Sequence, residues 1–75
     1  MKFVHTTGQQ LAEIVKDDEI HQGDLAASGV KDQTIVRINV HGDIEVRRTD
    51  RWDVIGGLLG DFEHRIKRVT GLDFA

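Results

Sequence analysis

Residues 34–48 read TIVRINVHGDIEVRR, and the fold turns on how this stretch alternates. Val36, Ile38 and Val40 share one side at period two, and Ile44 and Val46 continue that side after a break. Arg37, Asn39, Glu45 and Arg47 share the other side. Such alternation belongs to half-buried strands, and His41-Gly42-Asp43 has the composition of a turn. A β-hairpin over about 34–40 and 43–48 is therefore predicted. Residues opposite one another in an antiparallel pair point to the same side of the sheet. A loop over 41–43 sets Val40 against Ile44, Ile38 against Val46 and Val36 against Arg48, which keeps the apolar face whole. The same register puts Arg37 opposite Arg47, a like-charge pair that Glu45 offsets from the diagonal.

Working back from the hairpin, Lys2–Thr6 reads as a short N-terminal strand with Phe3 and Val4 as its apolar content. Thr7 followed by Gln10 has the form of a capping box, and Leu11, Ile14 and Val15 give the next segment one apolar face. A helix over about 7–17 follows. Asp17, Asp18 and Glu19 sit where the helix dipole favours cations, so the helix is expected to stop near Lys16. The acids are then a solvated end, a partner for Arg47, Arg48 or Arg51, or a patch for a basic partner. Between this helix and the hairpin, Asp24 can cap a single turn, Leu25 to Ser28, that Gly29 ends.

Working forward, Trp52, Ile55, Leu59, Phe62, Ile66 and Val69 recur at helical spacing. They predict a helix over about 50–70, capped by Thr49 or Asp50 and stopped by Gly71. Asp61 with Arg65 and Glu63 with Lys67 are favourable i,i+4 pairs on it. Gly56, Gly57 and Gly60 oppose an unbroken helix, since each costs about 1 kcal/mol against Ala in a helix interior. The unbroken spacing favours one helical path and the glycines a kink or interruption near 56–60, which is the expectation. Two helices on one face of a small sheet make a two-layer α+β sandwich, a single small domain over residues 1–75.

Composition narrows the function classes. The chain has 75 residues, no Cys and a formal net charge of −3. Disulfides and Cys chemistry are excluded, and the balance is not that of a typical nucleic-acid binder. No stretch approaches transmembrane length and MKFVHTTGQQ lacks the apolar run of a signal peptide, so a cytoplasmic protein is expected. Ser28 lies in no nucleophile motif, and His5, His21, His41 and His64 are scattered without metal-ligand spacing. Neither an enzyme nor a cofactor or metal site is expected.

The positive signals are two. Arg37, Arg47, Arg48 and Arg51 form a candidate partner or anion surface. Val54, Gly56, Gly57, Leu58 and Gly60 form a candidate self-contact, because surface glycines let another backbone approach closely. The leading expectation is a small non-catalytic interaction or regulatory module that binds protein, with a second copy of itself among the candidates. The alternative is RNA or other anion binding.

One family likeness bears on that alternative. Val54-Ile55-Gly56 resembles the V-I-G of bacterial KH domains, Gly57-Leu58-Leu59-Gly60 resembles their G-x-x-G loop, and Thr70-Gly71 the T-G closing the next helix. The likeness covers residues 54–71 and implies that the glycine loop contacts single-stranded RNA. It departs at Leu58 and Leu59, where the clamp favours small, polar or basic side chains.

Overall fold

The computed structural model describes residues 2–74. Four antiparallel strands lie in sequence order in one sheet: β1 (Phe3–Thr7), β2 (Ile35–Asn39), β3 (Asp43–Arg47) and β4 (Trp52–Gly57). Helices α1 (Gly8–Ile14) and α2 (Gln22–Ala27) fill the connection from β1 to β2, and α3 (Phe62–Thr70) follows β4. The architecture is α+β.

The N-terminal strand forms as expected and pairs with β2, Val4 opposite Ile38 and Thr6 opposite Val36. The chain turns directly from β1 into α1. Thr7 is the N-cap, and its hydroxyl accepts from the Gln10 N–H. The Gln10 side chain meets the Thr6 hydroxyl instead of returning a bond to Thr7. Helix α1 is shorter than the predicted 7–17, because Val15 is already extended (φ −73°, ψ 148°). Gly8 permits the entry: its N–H donates to Thr34 O, and a Cβ there would stand 2.0 Å from Lys31 O. Helix α2 starts at Gln22, earlier than the predicted turn from Leu25, so Asp24 lies within its first turn rather than capping it. Gly29 then takes a positive φ of 79°.

The hairpin exists, with a register shifted by two residues from the expectation. Val36 faces Val46, Arg37 faces Glu45 and Ile38 faces Ile44. The cause is Asn39. Its Oδ1 accepts from the N–H of His41 and of Asp43, and its Nδ2 donates to the Asp43 carboxylate. The side chain thus closes a loop over residues 40–42 and expels Val40, which is exposed. A two-residue shift leaves side-chain parity untouched, so Val36, Ile38, Ile44 and Val46 still share the apolar face, without Val40. It also replaces the predicted Arg37–Arg47 clash by an Arg37–Glu45 pair.

The predicted helix over 50–70 is overturned in its first half. Trp52–Gly57 is strand β4, and only Phe62–Thr70 is helical. Trp52 pairs with Arg47, Asp53 with Val46 and Val54 with Glu45. Gly56 then faces Ile44, so Ile55 is an extra residue in a β-bulge. Trp52 lies on the side of the sheet away from the core and Ile55 packs against the core, so apolar residues on the two faces of one strand stand three apart and imitate helical spacing. The glycines settle the competition, since three of them in one helix would cost about 3 kcal/mol. Leu59, read as part of the helical stripe, is 61% exposed in the loop, whereas Ile66 of α3 is fully buried.

Helix α1 packs on α3, β1 and β2. Val4, Val36, Ile38, Ile44 and Val46 from the sheet meet Leu11 and Ile14 from α1 and Ile66 from α3, with Ile20, Leu25 and Leu58 closing the rim. A polar cross-link ties α3 to α1 and to the loops beside them. Arg65, on α3, donates to Ile14 O, Leu59 O and both oxygens of Glu19. Asp61 stands at the N-cap position before α3 and is not the partner expected for Arg65. Lys67 likewise pairs with Asp73, at 2.9 Å, rather than with Glu63.

Candidate binding face

Strand parity places Phe3, His5, Ile35, Arg37, Glu45, Arg47, Trp52 and Val54 on the side of the sheet opposite the core residues. The buried apolar side chains all belong to the helix side. The outer side is built around Arg37. Its Nη2 donates to Glu45 Oε1 at 2.9 Å and its Nε to the same oxygen at 3.3 Å. Its guanidinium lies 4.0 Å from the centre of the Phe3 ring and 4.1 Å from that of Trp52. The ring of His5 sits beside both, 6.3 Å from Phe3 and 5.9 Å from Trp52. The pair is largely shielded, with side-chain exposures of 22% for Arg37 and 12% for Glu45. Aromatic faces attract a cation by about 0.5–2 kcal/mol each, so the cluster is assembled before anything binds. Ile35 and Val54 border it, 46% and 61% exposed.

The other candidate arginines gather at the β3–β4 turn. Arg48 is occupied: Nε and Nη2 donate to Asp53, and Nη2 also donates to Ser28 O. Arg47 lies 5.9 Å from the Trp52 ring. Among the described residues Arg51 reaches only Asp50, at 3.7 Å, with both side chains mostly in solvent. Residues 47–52 line a shallow pocket of about 210 Å³. The expected cluster is thus divided, with Arg37 and Arg48 neutralised within the fold and Arg47 and Arg51 turned outward.

The candidate self-contact residues are dispersed. Val54 is exposed on the outer face, whereas Leu58 is buried in the core. Ile20 packs onto Gly56, where a Cβ would stand 2.7 Å from its Cδ1. Gly57 ends β4 beside Asp43, and Gly60 takes a positive φ of 63° in the loop. The KH likeness fails on topology, because strand β4 precedes the glycine loop where that family has a helix.

Asp17 and Asp18 are exposed, as a solvated acidic end would be. Glu19 is not: its side chain is 1% exposed against Arg65 at 9%. It also accepts from the N–H of Lys16 at 2.9 Å and of Leu59 at 2.6 Å. The Arg65 hydrogen bonds chiefly, with those backbone donors, lower its pKa to about 2 against the opposing effect of burial. The same carboxylate raises the Arg65 pKa further above its usual value. This constellation holds loop and helix together.

The sequence pattern missed Phe3 and Trp52 as outer-face residues, Trp52 having been assigned to the helical stripe. The available signal was period two across Trp52 and Val54. Among the described residues no group of three or more His, Asp or Glu is placed to hold a metal ion, and no helix is long and apolar enough to cross a membrane. No family model, no curated protein and no solved structure matches the chain.

Proposed function

We propose that the protein is a small non-catalytic interaction module, and that the outer face of its sheet docks an extended segment of a protein partner. The carrying observation is the stacked Phe3–Arg37–Trp52 cluster on a sheet face that no helix covers. Trp and Arg are the residue types that dominate binding energy at protein interfaces. A cluster already held by Glu45 loses little side-chain entropy on docking. Exposed Ile35 and Val54 supply apolar contacts on either side. The sheet face measures roughly 19 by 16 Å from standard strand spacing and rise, which suits one segment better than a large obligate interface. The Cys-free composition suits a reducing compartment, and a cytoplasmic setting belongs to the same proposal.

Selection from a displayed peptide library against the immobilised protein tests the docking. The expected outcome is a set of peptides whose affinity falls at least tenfold with Trp52→Ala and is unchanged with Leu59→Ala, which alters an exposed apolar residue elsewhere. Binders indifferent to Trp52, or no binders at all, would overturn it. Light scattering at high concentration tests a second copy as the partner, with a monomer expected.

A further inference from the structure

We infer that the pocket at the β3–β4 turn is a site for a phosphomonoester, the phosphorylated side chain of a docked protein segment. Arg47, Arg48 and Arg51 line one cavity with Thr49, Asp50 and Trp52. The cavity is shallow and open to solvent, about 210 Å³ in volume. That holds a tetrahedral oxyanion together with part of the group carrying it. A phosphomonoester offers three terminal oxygens and nearly two negative charges at neutral pH. It can take Arg47 and Arg51 on separate oxygens and keep a third for a backbone or hydroxyl donor, where a carboxylate has only two oxygens to share.

The three arginines are unequal, and the inequality makes a site. Arg48 is anchored by Asp53 and Ser28 O, which fixes one wall. Among the described residues Arg51 has only Asp50, at 3.7 Å and with both side chains mostly in solvent, so its guanidinium is available to a stronger anion. Arg47 leans toward Trp52 without an ion pair among the described residues. Trp52 joins the pocket to the outer face, so a segment lying on that face carries its phosphoryl group directly to the turn. A nucleic-acid backbone fits less well. Beyond the turn the face holds Glu45 tied to Arg37, so the next cation along it is already paired, where a nucleic-acid backbone calls for a row of free ones. Asp50 opposes any anion here, which gives the site a signature: removing that charge strengthens binding.

The test uses small probes, so it stands apart from the peptide selection above. Phosphoserine is titrated into the isotope-labelled protein at low salt, following the Arg Nε–H and Trp52 Nε1–H signals. Saturable shifts at Arg47, Arg51 and Trp52 are expected, with none from serine. Affinity should fall at least tenfold in the Arg47→Gln/Arg51→Gln double variant, stay unchanged in Arg68→Gln, and rise several-fold in Asp50→Asn. All three variants alter exposed side chains, and an unchanged amide spectrum certifies the fold. Absence of saturation, or shifts surviving in the double variant, overturns the site. Displacement of phosphoserine by a short single-stranded RNA that binds more tightly, with a steep salt dependence, overturns the phosphomonoester assignment in favour of a nucleic acid.

Discussion

Replacing Glu19 by Gln removes one charge from the cross-link between loop and helix while nearly preserving its shape. The wild-type carboxylate is held at a pKa of about 2, against 4.5 for an unperturbed group. That difference of about 2.5 units, at 1.36 kcal/mol each, corresponds to about 3 kcal/mol of stability at neutral pH. Breaking a buried pair by removing one partner costs about 3–5 kcal/mol in other proteins, so two independent routes agree. The sign follows from the direction of the shift. A lowered folded-state pKa stabilises fully above the unfolded value, and the contribution is lost as pH falls from about 5 toward 2. A 75-residue domain has roughly 4–11 kcal/mol in all, so Glu19→Gln should forfeit a large share of it and lower Tm by roughly 20 °C. Urea unfolding of both proteins between pH 2 and pH 7 measures this. The gap should be about 3 kcal/mol at pH 7 and shrink in acid. A gap under 1 kcal/mol at pH 7, or one constant down to pH 2, would refute the buried pair.

Three further outcomes follow from the geometry. Gly8→Ala sets a Cβ 2.0 Å from Lys31 O, so the β1–α1 junction must open, and a loss of about 3 kcal/mol in chemical denaturation is expected. Asn39→Ala leaves the N–H groups of His41 and Asp43 without their acceptor; a loss of about 2 kcal/mol is expected, with faster amide exchange at those two residues. Trp52→Ala unstacks one side of Arg37 and should cost about 1–3 kcal/mol, with an altered Arg37 Nε–H shift as its local mark.

The faces of the hairpin were legible in the sequence because parity survives any even shift in register. The register itself was not, because a side chain in the strand, Asn39, decides where the loop closes. That one shift exchanges Arg47 for Glu45 opposite Arg37 and so changes the electrostatics of the whole outer face. Strand β4 was hidden because Trp52 and Ile55, apolar residues on its two faces, stand three apart and run on into the helical spacing of α3. The turn arginines could be named from sequence, but not which of them are neutralised, since Asp53 was read as helical and Ser28 contributes only a backbone carbonyl. Glu19 illustrates the same limit: its partner Arg65 lies 46 residues away, beyond the reach of any local pairing rule.

The bare outer face is tested most directly by solvent paramagnetic relaxation, recorded on dilute protein shown to be monomeric by ultracentrifugation. A soluble paramagnetic probe should strongly broaden the methyl signals of Ile35 and Val54 and the Trp52 indole N–H, while the methyls of Leu58 and Ile66 stay protected. Protection of Ile35, Val54 and Trp52 to the level of Ile66 would show that face to be covered within the monomer, and would contradict it as a docking surface.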